Sequence, residues 1–197
     1  VPLPSGSLDW FTAKLGVFAD LATGRPADAL ARMELFSPEC LGAEEIPPKW
    51  GFHCPNETVR IYQELGEHKA AQALGDANVR RLQLVVDEYP VVWMQLNYVG
   101  SLATAGRTDE ALDVLEDLVS SGWRGDKYIK HLGFFLCCDV DFDAIRDHER
   151  FRAIAATIKA DMAQQLENVR EMERNGEIPT LEELSALITS KSASGTR

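Results

Sequence analysis

The sequence predicts an all-α fold in which antiparallel helix hairpins stack in a row that ends in a C-terminal helical cap. The main observation is an internal repeat: a glycine followed by a short turn and an Ala-rich amphipathic run occurs three times, at spacings of 42 and 40 residues. A repeat of this length is typical of stacked helix pairs. The repeated residues are Gly24, Gly66 and Gly106, each followed five residues later by an alanine, at Ala29, Ala71 and Ala111.

The composition is that of one elongated domain. The chain has 197 residues, of which 45% are hydrophobic and 26% charged, and this is ordinary for a globular core. We expect the helical domain to cover residues 8–190. Residues 1–7 have the composition of a linker or a remnant of expression, and residues 191–197 that of a disordered tail. We therefore expect the chain to be part of a larger protein.

The charge indicates which partners the chain does not bind. The net charge is −11 and the sequence pI about 4.8, which disfavours nucleic acid because that partner requires concentrated Lys and Arg. A basic or apolar protein partner fits better. The longest apolar run, at 132–138, is far shorter than the ~18 residues that span a bilayer, so we expect no membrane insertion. Both a cytoplasmic and a periplasmic location remain open.

Helix patterns and breakers predict three hairpins, in order. The first covers about 8–36, with Gly24 ending its first helix and Pro26 favoured at the start of its second. Residues 37–55 are rich in proline and glycine and predict an insertion between hairpins. The second hairpin covers about 56–88 and the third about 92–121, each with apolar residues at spacings of three and four.

Three further helices form the predicted C-terminal cap. A short apolar helix is expected at about 126–136, a long one at 148–174, and a last one at 181–190. An acidic turn with Asp139, Asp141 and Asp143 lies between the first two, and we expect it to be solvated. Thr180 and Glu183 have the spacing of a capping box, which predicts where the last helix begins.

The third repeat resembles a tetratricopeptide repeat (TPR), because Val99, Leu102, Gly106 and Ala111 have the spacing of the residues that let two TPR helices approach closely. The first two repeats are more degenerate, with Asp20 where the third has Leu102. The segment at 141–154, DFDAIRDHERFRAI, resembles the end of TPR regions in bacterial multidomain regulators. The resemblance implies a TPR-like α-solenoid that acts as a C-terminal interaction or sensing module, with no catalysis of its own.

In such an α-solenoid, a partner binds on the concave face formed by the first helix of each hairpin. The inward residues there combine basic, amide and aromatic groups, which suits an extended peptide. Alternatively, Phe18 and Trp93 pack against a neighbouring repeat or the C-terminal helix. The predicted groove residues are Lys14, Phe18, Asn56, Arg60, Gln63, Trp93, Leu96 and Asn97.

The remaining chemical motifs are weak. The acidic turn at 139–143 lacks the glycine and the final glutamate of a calcium loop, and Cys40, His53 and Cys54 lack a fourth zinc ligand, so no metal site is predicted. Cys40 and Cys54 are either a disulfide across the insertion or two buried thiols that pack with Trp50 and Phe52.

These patterns predict a protein-interaction scaffold that is not an enzyme and has no cofactor. The four histidines are scattered, and the sequence contains no nucleophile elbow, P-loop or dinucleotide-binding glycine pattern. Two alternatives stay open. One is a sensory domain that binds a small ligand in a pocket closed by Trp50 and Phe52. The other is self-association through the long helix or through Leu181–Ile188, which gives a homodimer.

Overall fold

The computed structural model describes residues 7–42, 54–124 and 140–194, and these form helices and turns without a strand. Within these ranges, single 3-10 turns at Pro38–Cys40 and Val140–Phe142 accompany the α-helices. The all-α class predicted from the sequence is therefore confirmed. The α-helices are α1 (Ser7–Ala22), α2 (Pro26–Phe36), α3 (Cys54–Glu64), α4 (His68–Glu88), α5 (Val92–Thr104), α6 (Thr108–Ser120), α7 (Glu149–Arg174) and α8 (Leu181–Ser194).

The first six helices form three consecutive hairpins. Helix α1 packs on α2, α3 on α4, and α5 on α6, while α2 and α4 also pack on the first helix of the next hairpin. Helix α3 contacts both α1 and α5. The 3-10 turn Val140–Phe142 packs on α5. The three first helices are thus adjacent, and we call the surface they share the first-helix face.

The repeat glycines end the first helix of each hairpin in the left-handed conformation. Gly106 has φ +78°, and the N–H of Arg107 donates to the carbonyl of Leu102 at 2.8 Å. This is a Schellman motif, which satisfies carbonyls at the helix end and favours glycine because a Cβ is strained at positive φ. The alanine five residues later lies on the second helix and is buried in all three hairpins, because the two helices of each hairpin cross closely there.

The chain divides into two compact units, one ending at Ile154 and one beginning at Ala155. In the first unit, Phe151 at the start of α7 is buried and lies 6.1 Å, between ring centroids, from Phe142. The second unit contains the rest of α7 and α8. The capping box is confirmed there, since the N–H of Glu183 donates to Thr180 Oγ1 at 3.3 Å and the N–H of Thr180 donates to Glu183 Oε2 at 2.8 Å.

Two further predictions concern the C-terminal helices and membrane-spanning segments. Helix α8 continues through Ser194 into the range predicted as a tail, and the predicted helix at 126–136 lies outside the described residues. None of the helices in the described ranges is long and apolar enough to cross a membrane.

Candidate functional site

The hairpin register places equivalent residues side by side on the first-helix face. Lys14, Asn56 and Leu96 each lie ten residues before a repeat glycine. Phe18, Arg60 and Gly100 each lie six residues before one. Two rows of equivalent positions therefore run across α1, α3 and α5, and side chains that were separate in sequence meet between the helices.

A buried amide network joins three helices beneath this face. The side-chain oxygen of Asn56 accepts hydrogen bonds from Asn78 Nδ2 at 3.0 Å and from Ser101 Oγ at 2.9 Å. Asn78 Nδ2 also donates to Ser101 Oγ at 2.8 Å. All three side chains are buried, so these bonds replace the water that the polar groups lose on folding. The network fixes α3, α4 and α5 in one register.

The amide network also holds the acidic turn. Asn56 Nδ2 donates to Asp141 Oδ2 at 2.9 Å, and Asp141 is buried. The turn approaches α5 closely at Gly100, where an added Cβ would lie only 2.9 Å from the Cβ of Asp141. The expectation of a solvated turn is therefore wrong at Asp141, because α5 carries no side chain at Gly100 and leaves room for the turn to dock.

A second buried carboxylate lies next to the amide network. Glu57 is 2% exposed, and its Oε1 lies 2.6 Å from Lys14 Nζ, which also lies 5.2 Å from the centre of the Phe18 ring. Burial raises the pKa of Glu57; the nearby ammonium of Lys14 opposes that rise, and the charge of Asp141 adds to it. Burial likewise raises the pKa of Asp141, against the effects of Lys14 and the Asn56 hydrogen bond.

Arginines hold the outer part of the turn. Arg60 Nη2 lies 3.3 Å from Asp143 Oδ2, and Arg146 Nη2 lies 2.7 Å from Asp143 Oδ1. Asp143 is partly exposed, so water screens these pairs and each contributes little stability. Together, Asn56 and Arg60 bind two carboxylates of one short segment of the same chain.

Of the other predicted groove residues, two lie on the surface and two are buried beneath it. Gln63 is exposed and its Nε2 donates to the carbonyl of Thr104 at 3.0 Å, while Trp93 is 38% exposed. Leu96 and Asn97 are buried, and Asn97 Nδ2 donates to the carbonyl of Trp93 at 2.8 Å. The structure thus brings Lys14, Asn56 and Arg60 close to the acidic turn and Phe18 beside Lys14. Leu96 and Asn97 are instead buried beneath the face.

Several depressions open on the described part of the first unit, and two of them bear on the site. One has a volume of about 490 Å³ beside the docked turn, and the other, between α4, α5 and α6, has about 560 Å³. The second contains the carboxylates Glu110, Asp113 and Asp117 among apolar side chains. The first is lined mainly by Arg60, Gln63, Glu64, Thr104, Asp141 and Asp143.

The insertion and the residues Cys40, His53 and Cys54 are only partly described. Cys40 is buried and disulfide-bonded, but its partner is not among the described side chains, so the pairing with Cys54 stays a prediction. Trp50, Phe52 and His53 lie outside the described residues, and with them the predicted ligand pocket. Within the described ranges, no group of His, Cys, Asp and Glu side chains is arranged to hold a metal ion.

Sequence reasoning missed Gly100, Glu57 and the partners of Asn56. Gly100 could have been found from its position, because a glycine inside a helix costs stability and here it is equivalent to Arg60 and Phe18. Asn78 could have been found in a similar way, because it is a polar residue at a repeat position that is buried. Comparisons with protein-family models, curated proteins and solved structures give no significant match to this chain.

Proposed function

We propose that the chain is a non-catalytic interaction scaffold, a TPR-like α-solenoid that binds a protein or peptide on its first-helix face. Three observations support the solenoid: the equal offsets of residues from the repeat glycines, the Schellman turns, and the buried alanine in each second helix. The family resemblance further suggests the C-terminal module of a larger bacterial regulatory protein.

The observation that carries the proposal is the docked acidic turn. The first-helix face already holds a segment of its own chain through an amide at Asn56 and a guanidinium at Arg60, which bind Asp141 and Asp143. Amide and guanidinium groups hold extended segments because they donate hydrogen bonds in fixed directions. The depression of about 490 Å³ adjoins the turn and continues the same surface past Arg60 and Gln63.

This surface suits a peptide that lies beside the turn. Arg60 and Gln63 offer donors, Glu64 and Asp143 offer acceptors, and the small residues Ala103–Gly106 leave the helix end uncovered by long side chains. Trp93 provides an aromatic anchor on the same helix as Thr104. Such a mixture favours a segment with both backbone polar groups and an apolar side chain.

A peptide selection tests the proposal. Peptides selected from a random library for binding to the wild-type chain should bind Arg60→Glu at least about tenfold more weakly, because one charge reversal in a contact costs on the order of 1.4 kcal/mol or more. Trp93→Ala should also weaken binding. The matched control is Arg80→Glu, which reverses an exposed arginine on α4, away from the first helices. Equal binding by Arg60→Glu and Arg80→Glu would refute the assignment of the face.

A further inference from the structure

Helix α7 carries an exposed apolar stripe in the second unit. Met162 is 56% and Leu166 51% exposed, and Val169 and Met172 are also exposed. These four residues, the α7 stripe, lie within a continuous helix that runs to Arg174. A helix of this length gains most of its stability from burying one face, so an exposed stripe indicates a docking surface.

The spacing of the apolar residues is that of a coiled coil. The positions Ile158, Met162, Gln165, Val169 and Met172 alternate in steps of four and three, which gives a mean of 3.5 residues. Ile158 is already buried within the chain, so the last four of these positions are the ones that face a partner. Helices with this period supercoil around one another with those residues in the seam. Gln165 is the one polar residue among these five positions, and a single polar residue in a seam fixes register at a cost in stability.

The charges beside the seam select the direction of the partner helix. If a second copy of α7 lies antiparallel, with Met162 opposite the partner's Met172, then Lys159 faces Glu173 of the partner subunit, and symmetry repeats the pair. Leu166 then meets the partner's Leu166 at the centre. In a parallel pair in register, Asp161 instead lies beside Leu166 of the partner subunit, and Asn168 lies beside the partner's Glu173. Neither contact is attractive.

We propose that the α7 stripe is a homodimer interface in which two copies of this chain pair through antiparallel α7 helices about a twofold axis near Glu167. This inference goes beyond the proposed peptide binding and does not depend on it, because it uses only residues of the second unit. The interface is isologous: Met162 meets Met172 of the partner subunit, Leu166 meets the partner's Leu166, Val169 lies opposite the partner's Gln165, and both Lys159–Glu173 pairs form across the axis.

Sedimentation equilibrium of the full chain, from about 1 µM to about 1 mM, tests the association because short seams associate weakly. The wild type should pass from monomer to dimer within this range. Leu166→Glu should remain a monomer with an unchanged helical circular dichroism spectrum, since Leu166 is exposed in one copy and its change does not disturb the fold. A wild type that is monomeric throughout the range would overturn the proposal, as would a dimer that persists unchanged in Leu166→Glu.

A charge swap tests the direction. Lys159→Glu and Glu173→Lys alone should each raise the dimer dissociation constant about five- to tenfold, because each places like charges together twice. The double variant restores both pairs and should return to within about twofold of the wild type. If the double variant dimerises no better than the single variants, the antiparallel register is wrong.

Disulfide trapping gives an independent check. In the antiparallel dimer, Leu166→Cys lies opposite itself and should form an intermolecular disulfide under mild oxidation, whereas Met162→Cys faces Met172 and should not. A parallel dimer gives the reverse result, because equivalent seam positions then meet. The wild-type chain under the same oxidant is the control for its own four cysteines.

Discussion

At the residue scale, Glu57 shows how burial determines the cost of a charge. Its carboxylate is buried among helices and has Lys14 as its ion-pair partner, and burial is the largest of the effects that raise its pKa. A folded-state pKa above the unfolded value means that the folded chain binds the proton more tightly than the unfolded chain. The free energy of unfolding contributed by Glu57 therefore falls as the pH rises from about 4.3 through the folded-state pKa.

We predict that Glu57→Gln removes this pH dependence. The difference in unfolding free energy between Glu57→Gln and the wild type should shift in favour of the variant as the pH rises from 4.5 to 7.5, because the amide cannot ionise. Urea denaturation at several pH values measures it. Glu64→Gln, on the exposed end of the same helix, is the matched control. A difference that does not change with pH, or that moves against the variant, would contradict the assignment.

At the element scale, the sequence predicted helices well and their packing partners less well. The three hairpins and the turn glycines follow from local rules, namely apolar spacing and the positive φ at residues such as Gly106. The docking of the acidic turn on α5 was not predicted, because it depends on contacts between Asn56 and Asp141 that lie 85 residues apart. The register of the hairpins decides such contacts, and no local pattern encodes them.

Gly100→Ala tests the docking of the turn. In an undisturbed helix this change stabilises by about 1 kcal/mol, but here the new Cβ would lie 2.9 Å from the Cβ of Asp141 and 3.2 Å from its Oδ2. We expect a net loss of about 1–3 kcal/mol, with faster hydrogen exchange at 141–147. In the comparison variant Gly16→Ala, the new Cβ would lie 2.7 Å from Nε of Arg32, whose guanidinium pairs with the buried carboxylate of Asp20. That change disturbs an ion pair of the first hairpin and should leave hydrogen exchange at 141–147 unchanged. A stabilised Gly100→Ala would show that the turn does not dock as described.

At the scale of the whole molecule, different interactions hold neighbouring hairpins together. We call the contact region between two consecutive hairpins a joint. The joint between the second and third hairpins contains the buried amide network of Asn56, Asn78 and Ser101. The joint between the first and second contains Cys40, which is buried with Val17, Met33 and Ile61 and is disulfide-bonded. The joint between the second and third hairpins is therefore held by neutral hydrogen-bonding groups, whereas the joint between the first and second combines apolar packing around Cys40 with the buried ion pair of Lys14 and Glu57.

We predict that the partner of Cys40 is Cys54 and that this bond carries much of the stability of the first joint. It would close a loop of about 15 residues, for which the chain-entropy model gives about 3 kcal/mol. Cys40→Ser should lose about that much unfolding free energy in urea, and a reducing agent should then have no further effect on the variant. Mass spectrometry of a non-reduced digest identifies the partner. A Cys40 peptide joined to Cys137 or Cys138 would instead link the first hairpin to the segment before the acidic turn.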